Sequence, residues 1–525
     1  MSPSKPLTEK IDSFTEELLN ELFQPPYSGR ALPASLADEM KHAFKKASEE
    51  NLTQPIVDVF ARLLAEKRDK GVTPADFGFT REDLIALARR HAEFDEHGVT
   101  LGGRAGQAIL IVEKANARVK EYMARKDVEA PSGIQLWDQI LVNTARIKKI
   151  LNMDDSDWLS YNSQLSHAIN TVDDLARVID LPAKAVKDVL RVTRTYRMRL
   201  TPYYASLIMP GKLDDPILIQ SVPTGEMVDN VGEEIPPVAA DHSPARLIDQ
   251  FYPRVVTIKV TNMCAMYCTH CLRIAHIGKK DRIYPKSAYR EALDYIRKNT
   301  LIRDVLITGG DAFILPNDMI RWLLEELDSV DHVTMKRLGT RIPVTAPMRI
   351  DSELLDILQR SNAIKPVRVV TQINTAQEIT PLSRKGFQQL SSSVSAVLNQ
   401  AVLLKGINDT NVKMWKLCET IHESYVRPYY VFNCSYRNPQ FRHLRVPVEI
   451  GRDIIESMYG NITGDAIPRY ISTAGGKIPM HRDNLVGRDG DNVLLKKPWS
   501  GEEVVYPDAN LEEYRNADFA FAKYT

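Results

Sequence analysis

Hydrophobic periodicity changes character along the chain. Over residues 1 to about 150, apolar side chains recur every three or four positions, as between Ile11 and Leu22, which is the spacing of one face of a helix. The same period returns from 157 to about 224, where Thr171 occupies the position of a helix N-cap. The pattern therefore predicts helices throughout both regions.

From Arg254 onward, short β-branched runs alternate with amphipathic stretches such as 318–327 and 351–359. Strands are predicted at 254–261, 304–308, 333–338, 366–371, 396–404, 428–434 and 468–472. Strand–helix alternation indicates parallel βαβ units. We expect the α/β class, with a partial (β/α)6 barrel whose chemistry lies at the carboxyl ends of the strands. Near such ends stand Cys264, Gly309, Asn374, Gln400 and Cys434.

Composition narrows the class of protein. The 525 residues contain 68 Lys+Arg and 68 Asp+Glu, so the zero net charge gives no electrostatic reason to expect a nucleic-acid or membrane-surface partner. The first residues lack the apolar core of a signal peptide, and no apolar stretch has the length of a membrane span. Five cysteines, three of them clustered, favour a reducing compartment. We expect a cytoplasmic protein.

The strongest chemical motif is a loop with cysteines at Cys264, Cys268 and Cys271, directly after the first predicted strand. Thiolates are the usual ligands of iron–sulfur clusters. Three of them can hold three irons of a four-iron cube and leave the fourth open to another ligand. The alternatives are a zinc knuckle or ordinary buried cysteines, but structural zinc needs four ligands, and His270 is poorly spaced to be the fourth. We interpret Cys418 and Cys434 as small buried hydrophobes.

Two glycine-containing turns add candidate ligand contacts. Gly309-Gly310-Asp311 follows the second predicted strand, and paired glycines there allow a ligand to approach the backbone closely. A tight turn needs the same residues, so the motif alone is weak. Lys477 follows Gly475-Gly476. Such a lysine is usually a surface charge, and becomes a candidate for covalent cofactor binding only where burial lowers its pKa.

Taken together, these motifs resemble a known family. The cysteine spacing is that of the radical S-adenosylmethionine (SAM) superfamily, and from about Trp158 to about Lys477 the chain resembles the lysine 2,3-aminomutase family, which also binds pyridoxal phosphate (PLP). The matching stretches are 201–208, 252–255, 264–271, 306–312, 337–341, 378–380, 399–409, 426–430 and 475–479. Residues 1 to about 150 lie outside the resemblance.

The resemblance implies an isomerase of amino acid metabolism with three cofactors: a [4Fe-4S] cluster, SAM and PLP. It implies a radical that takes a hydrogen from the β-carbon, migration of the amino group from C2 to C3, and return of the hydrogen to give a β-amino acid. The cluster ligands would be Cys264, Cys268 and Cys271; the SAM contacts Gly309, Gly310, Asp311, Asn374 and Gln400; and the PLP contacts Lys477, Tyr252 and Arg254.

The same resemblance assigns Arg273 to the substrate carboxylate, a task that its planar fork suits. Without the resemblance, Arg273 is equally a surface ion-pair partner. In the same way, Asn374 and Gln400 are equally strand-end residues that satisfy backbone groups.

Departures from the family concern the substrate. Lysine-specific members carry two aspartates for the distal ammonium, where this chain has Ser435 and Thr473. A buried ammonium without a carboxylate is costly, so we expect an amino acid other than lysine, acidic or neutral. The glutamate-specific pattern, a lysine and an asparagine at those positions, is not matched either. Arg437 and Arg442 are close enough in sequence to face an acidic side chain, but they are as easily solvent-exposed. The cysteines that hold structural zinc in lysine-specific members are absent, so we expect no zinc.

As partners we expect a small-molecule amino acid substrate, an electron donor such as flavodoxin or ferredoxin, and further copies of the chain in a homo-oligomer, with no nucleic acid and no membrane. The predicted domains are a helical extension at 1–150, a helical segment and connector at 151–245, the barrel at 246–480 and a tail at 481–525. Two alternatives remain. One is a radical elimination or epimerisation with the same cofactors, and the other is a non-catalytic relative that acts through its helical N-terminal region.

Overall fold

The computed structural model describes residues 119–231, 243–282, 284–473, 476–516 and 520–524. The helices predicted over residues 1 to 118 lie outside these ranges. Within them, residues 121–525 belong to one compact unit. The unit has a helical segment, a large sheet with helices between its strands, and a small second sheet.

A helical segment comes first, as the periodicity predicted. After helical residues 119–129, its helices are α1 (Trp137–Leu151), α2 (Asp155–Leu159), α3 (Tyr161–Ser166), α4 (Val172–Val178), α5 (Ala183–Thr193), α6 (Pro202–Ser206), α7 (Pro216–Ser221) and α8 (Glu226–Asp229). The N-cap predicted at Thr171 is confirmed, because its hydroxyl accepts a hydrogen bond from the Asp174 backbone N–H.

In the described part of the chain, nine strands form the large sheet, and they follow one another in chain order across it. They are β1 (Ile248–Tyr252), β2 (Val255–Thr261), β3 (Asp304–Gly309), β4 (Met335–Gly339), β5 (Val367–Thr371), β6 (Ala396–Leu403), β7 (Arg427–Asn433), β8 (Arg469–Ser472) and β9 (Ile478–Pro479). Strands β2 to β8 are parallel, and β1 and β9 pair antiparallel at the two edges. The α/β class is therefore confirmed, and each predicted strand is present within two residues of its predicted bounds.

Helices connect the parallel strands, as βαβ units require. They are α9 (Ile274–Ile277), α10 (Lys286–Lys298), α11 (Asn317–Asp328), α12 (Ile342–Thr345), α13 (Ser352–Ile364), α14 (Pro381–Ser393), α15 (Asn411–His422) and α16 (Val448–Glu456). Short 3-10 turns occupy Ala312–Ile314, Pro347–Arg349, Ala376–Glu378, Pro439–Leu444, Gly464–Ala466, Arg482–Asn484 and Ala520–Tyr524. No helix in the described ranges is long and apolar enough to cross a lipid bilayer.

The C-terminal segment, for which the sequence predicted no element, contains a second sheet. Its antiparallel strands are β10 (Leu485–Asp489), β11 (Asn492–Lys496) and β12 (Glu503–Pro507), followed by α17 (Leu511–Asn516). Tyr506 anchors β12 to the large sheet, because its buried hydroxyl donates to Asn433 at the end of β7.

The two faces of the large sheet have different chemistry. Val256, Ile258 and Val260 point into the core shared with the surrounding helices, so alternation places Thr257 and Lys259 on the opposite face. By the same alternation this opposite face carries charged residues on several of the other strands.

The large sheet is curled rather than flat. Lys477, next to the edge strand β9, has its backbone hydrogen-bonded by Tyr252 of the other edge strand, β1. Its ammonium also lies close enough to Arg337 of β4 to feel its charge. Because the two edges approach each other, the face that carries Lys259 is concave. We call it the concave face.

A second hydrophobic core lies within the helical segment and extends to the carboxyl ends of the strands. It joins Tyr203 and Tyr204 of α6 to Met266 in the cysteine loop and to Leu404 after β6. The helical segment therefore packs directly onto the cysteine loop and fixes its position.

Candidate active site

The cysteine loop begins where β2 ends and is tied down by backbone hydrogen bonds. The Arg199 guanidinium donates to the Cys264 carbonyl at 3.2 Å. The Tyr267 N–H donates to the Arg199 carbonyl at 3.2 Å, and the Thr269 N–H to the Gln220 carbonyl at 3.0 Å. The helical segment thus holds the loop at three points, which leaves the cysteine side chains free for other contacts.

The structure brings the three predicted cluster ligands together. Cys264, Cys268 and Cys271 form no disulfide. Burial raises the pKa of the Cys264 thiol, and Asp311 and the other two thiols raise it further; burial and Cys268 raise the pKa of Cys271 to about 12. Among the described residues, no three Cys, His, Asp or Glu side chains lie close enough together to bind a single metal ion. A four-iron cube does not require such convergence, since each thiolate binds a different iron.

The glycine pair after β3 packs against the start of the cysteine loop. Gly309 has φ +123°, which is a conformation that L side chains rarely adopt. A Cβ on Gly310 would lie 2.2 Å from the Met263 carbonyl oxygen, and the Gly310 N–H donates to the Thr261 carbonyl at 2.5 Å. Only glycine permits this close approach of the two backbones, so the glycine pair fixes the position of the cysteine loop.

Asp311 is buried directly behind the pair. One carboxylate oxygen accepts from the Phe313 N–H at 2.9 Å, and the other accepts from the Arg341 N–H at 2.7 Å. Burial raises its pKa above the usual range. Asp311, predicted to contact SAM, therefore holds the turn after β4 through its carboxylate.

Arg341 forms a buried network that sequence analysis did not assign. Its Nη1 donates to Cys268 Sγ at 2.8 Å, and its Nη2 donates to Glu378 at 2.6 Å and to Gln220 at 3.0 Å. Tyr204 donates to the same Glu378 oxygen at 2.9 Å. A fully charged guanidinium thus contacts one predicted cluster ligand, and a buried carboxylate balances its charge.

The two residues predicted to contact SAM from later strands differ in accessibility. Asn374 is fully buried: its amide N–H donates to Gln220 at 3.0 Å and approaches His270 at 3.3 Å, and its carbonyl accepts from the Val402 N–H. Burial and Arg341 lower the pKa of His270 to about 3, so its ring is neutral. Gln400, by contrast, is half-buried, beside Tyr430 of the next strand.

Lys477 lies on the concave face rather than at the outer surface. Its Nζ is 4.7 Å from the centre of the Tyr430 ring. Burial lowers its pKa below the ordinary lysine value; Arg337 lowers it further, while Tyr430 and Asp304 act in the opposite direction. Burial therefore lowers the pKa of Lys477, which is the condition under which this lysine becomes a candidate for covalent cofactor binding.

The structure separates the other two predicted PLP residues. Tyr252 ends β1, hydrogen-bonds the Lys477 backbone and remains 38% exposed, so its ring borders the lysine. Arg254 lies in the turn between β1 and β2 with its side chain exposed. Its carbonyl accepts from the N–H groups of Arg303 and Asp304, which is a structural role at the amino end of β2.

Arg273, the predicted substrate clamp, faces a carboxylate. Its Nη1 is 3.6 Å from Asp249 Oδ2. The other oxygen of Asp249 accepts from Lys259 Nζ at 2.8 Å, and Lys259 also donates to Ser243 at 3.0 Å. The Asp249 carboxylate therefore pairs with two cations. Together Asp249, Lys259 and Arg273 carry a net positive charge on the concave face.

The residues considered for substrate discrimination lie apart from this set. Ser435 is buried and caps the Arg437 N–H, whereas Thr473 is exposed. Arg437 stacks on Tyr436, and Arg442 pairs with Glu513 at the surface. Of the two alternatives for Arg442, the structure favours the solvent-exposed one, because Glu513 engages its guanidinium at the surface.

Sequence analysis missed Asp249, Lys259, Arg341 and Glu378 as site residues. A signal was present for Lys259, a charged residue within the apolar run of β2. Arg341 and Glu378 lay in stretches that match the family. Nothing in the sequence pairs Asp249 with Arg273, because they meet only through the fold.

Comparison with known proteins identifies relatives over most of the chain, although no protein-family model matches it. It is 37% identical over 410 residues to a glutamate 2,3-aminomutase of Clostridioides difficile, covering 77% of this chain and 96% of the relative. It is 36% identical to an L-lysine 2,3-aminomutase of Methanococcus maripaludis (68% and 83%) and 33% identical to one of Clostridium subterminale (67% and 85%). The chain therefore belongs to the lysine 2,3-aminomutase family and is an isomerase, an amino acid 2,3-aminomutase.

Proposed function

We propose that the chain is a radical SAM, PLP-dependent aminomutase that moves the amino group of an L-α-amino acid other than lysine from C2 to C3. The observation that carries the proposal is the packing of the cysteine loop against Gly310 at the carboxyl end of the sheet, with a partly desolvated Lys477 on the concave face. We also propose that the curled sheet is the partial (β/α)6 barrel of that superfamily.

The side chains present fit the cofactors. When bound, the cluster, SAM and PLP supply a carbon radical and a π-system that spreads the unpaired electron. Cys264, Cys268 and Cys271 would each hold one iron, and the fourth iron would be open to SAM. The close packing of Gly310 on Met263 places the glycine pair beside the cysteine loop, where the resemblance assigns its backbone to SAM, and Arg341 donates to the sulfur of Cys268.

Lys477 would hold PLP covalently, since burial favours its unprotonated, nucleophilic form. Tyr252 would stack on the cofactor, and Arg254 is assigned to its phosphate by the resemblance. Asn374 and Gln400 would contact SAM, with Gln400 offering the accessible amide. In such positioned reactions the protein contributes placement and orientation.

A substrate other than lysine is supported by the charges on the concave face. Arg273 would bind the substrate carboxylate, and its neighbour Lys259 shares Asp249 with it. The side-chain ammonium of lysine would have no carboxylate at Ser435 or Thr473, where lysine-specific members carry aspartates, and these cations would not compensate for that loss. The 37% identity to a glutamate 2,3-aminomutase is consistent with this proposal.

The proposal includes partners. The cluster takes up one electron each time it is reduced, so we propose an electron donor such as flavodoxin or ferredoxin. We also propose that the chain forms a homo-oligomer. The amino acid substrate is the remaining small-molecule partner.

Iron binding tests the first half of the proposal. Protein reconstituted without oxygen should hold about one four-iron cluster, and replacing Cys264, Cys268 and Cys271 by alanine should abolish iron binding. Cys418→Ala and Cys434→Ala are matched controls, because both thiols are buried elsewhere. Full retention of iron by the triple variant would refute the assignment.

Cofactor uptake tests the second half. Lys477→Ala should lose the visible absorbance of lysine-bound PLP, and Lys385→Ala, an exposed lysine on α14, should keep it. Wild-type protein that never takes up PLP would remove the basis of the PLP assignment.

A substrate screen then decides the reaction. Reduced protein with SAM and PLP is incubated with each of the common amino acids, and the products are analysed by mass spectrometry and NMR. A β-amino acid of unchanged mass supports the proposal. A change of mass, or inversion at C2 alone, would replace it by an elimination or an epimerisation.

A further inference from the structure

An unpaired arginine lies on the concave face. Val367 and Val369 of β5 pack into the helix-facing core, so alternation directs Arg368 to the concave face. Its Nε is buried without a hydrogen-bond partner, and within the described ranges the side chain has no ion pair. A buried guanidinium nitrogen without a partner is rare in folded proteins and indicates a missing ligand, and the rest of the half-buried side chain remains accessible to one.

The surroundings of Arg368 specify the charge of that ligand. In the register of β4 and β5, Arg368 lies beside Arg337. Arg337 is neutralised by Asp304, to which its Nε donates at 2.7 Å, and Arg368 is left with an uncompensated charge next to a like charge. The ligand must therefore be an anion.

Its location ties the anion to the cofactor lysine. Lys477 lies within electrostatic reach of Arg337 and Asp304, the pair that adjoins Arg368. By contrast, Arg254 has its side chain exposed in the turn before β2. Among the described residues, Arg368 is thus a cation without an ion pair on the face that carries Lys477, and its planar fork matches two oxygens of one oxyanion.

We propose that Arg368 forms an oxyanion subsite on the concave face, occupied by the phosphate of the cofactor bound at Lys477. This inference rests on the proposed function for the identity of its ligand. A second source of the same chemistry is the distal carboxylate of an acidic amino acid substrate. Arg368 would bind the phosphate in addition to Arg254, the residue that the resemblance assigns to it.

Titration of the full-length protein with PLP and with pyridoxal, which lacks the phosphate, tests the subsite through the visible absorbance of the bound cofactor. Arg368→Gln should weaken PLP binding about tenfold or more, because it removes charge-assisted hydrogen bonds, and should leave pyridoxal binding unchanged. Arg360→Gln, at a surface arginine of α13 whose side chain is 79% exposed, is the matched control and should bind both as wild type does. Arg368→Lys, which keeps the charge without the fork, should lie between.

A second experiment distinguishes the cofactor phosphate from the distal carboxylate of the substrate as the ligand of Arg368. If Arg368→Gln keeps its affinity for PLP, the preference of the bound cofactor for glutamate over the isosteric, uncharged glutamine is measured from the spectral change. Loss of that preference assigns the subsite to the substrate carboxylate. Unchanged PLP affinity together with an unchanged preference overturns the proposal.

Inorganic phosphate separates failure of the subsite from failure of the proposed function. Calorimetric titration of cofactor-free protein should show phosphate binding that Arg368→Gln weakens about tenfold or more. This holds even if wild-type protein takes up no PLP. Equal phosphate binding by folded Arg368→Gln and wild-type protein, verified by their circular dichroism, counts against the subsite.

Discussion

Arg341 Nη1 donates a hydrogen bond to Cys268 Sγ at 2.8 Å, so a buried cation touches one of the three thiols that would bind the cluster. Hydrogen bonds and positive charge at a cluster sulfur favour the reduced, more negative state. Removing them should therefore make the cluster harder to reduce.

The variant must not leave Glu378 unpaired, because it is fully buried and accepts from Arg341 at 2.6 Å. Arg341→Gln alone should cost about 3–5 kcal/mol of unfolding free energy. In the double variant Arg341→Gln/Glu378→Gln we expect a tenfold smaller equilibrium constant for one-electron reduction, which is about 59 mV. Electron paramagnetic resonance during a redox titration measures it, and an unchanged potential would rule out this role for Arg341.

Gly310 gives a second prediction. A Cβ there would lie 2.2 Å from the Met263 carbonyl, a distance that real Cβ contacts do not show, so Gly310→Ala must displace the cysteine loop. We expect less iron per protein after reconstitution and a lower melting temperature. Gly464→Ala, where an added Cβ meets nothing within 4 Å, should match wild type in both. Normal iron content and melting temperature in Gly310→Ala would contradict the packing.

Hydrophobic periodicity predicted the framework of the large sheet because it reports which face of a strand is buried. It predicted β5 at 366–371, and the strand is Val367–Thr371. The same signal was too weak for the C-terminal strands, which are short and largely exposed, as in β10 (Leu485–Asp489).

The candidate site was predictable only where the chemistry is local in sequence. The cysteines and the glycine pair stand within short motifs. The contact of Arg341 with Cys268 joins residues 73 positions apart, and Arg368 looks like an ordinary strand residue until alternation and register place it beside Arg337. Contacts between side chains on different strands of a curled sheet produce no characteristic spacing in the sequence, so they could not be predicted from it.

The depressed pKa of Lys477 gives a prediction about pH. Burial disfavours the ammonium, so the free amine should be available at a lower pH than in an exposed lysine, whose pKa is about 10.4. The rate of PLP uptake, followed by visible absorbance across pH, should therefore rise with a midpoint below that of a lysine peptide with free PLP. A midpoint equal to that of the peptide would contradict the burial.

The same group links stability to pH. Between its folded pKa and about 10.4 the unfolded chain binds the extra proton, so stability should increase with pH in that window. Lys477→Met removes the titrating group and should flatten the dependence there. Urea unfolding of both proteins at several pH values measures the difference, and parallel profiles would argue against a buried ammonium.

The buried pair Lys336–Asp328 gives a prediction about the fold alone. Lys336 is fully buried on the helix-facing side of β4, where its ammonium donates to Asp328 of α11 and to the Ser361 carbonyl of α13. Lys336→Met leaves the Asp328 carboxylate buried without its cation, which should cost about 3–5 kcal/mol. The double variant Lys336→Met/Asp328→Leu removes both charges and should recover most of that loss, since apolar replacements of buried pairs are often neutral.

An exposed ion pair on α13 supplies the control for Lys336. Arg360 and Asp356 pair at the surface with side chains 79% and 51% exposed, so Arg360→Gln should change the unfolding free energy by less than about 0.5 kcal/mol. Urea titrations followed by circular dichroism compare the four proteins. If Lys336→Met is as stable as Arg360→Gln, Asp328 must be protonated or solvated in the folded state, and the ion pair does not join β4 to its two covering helices.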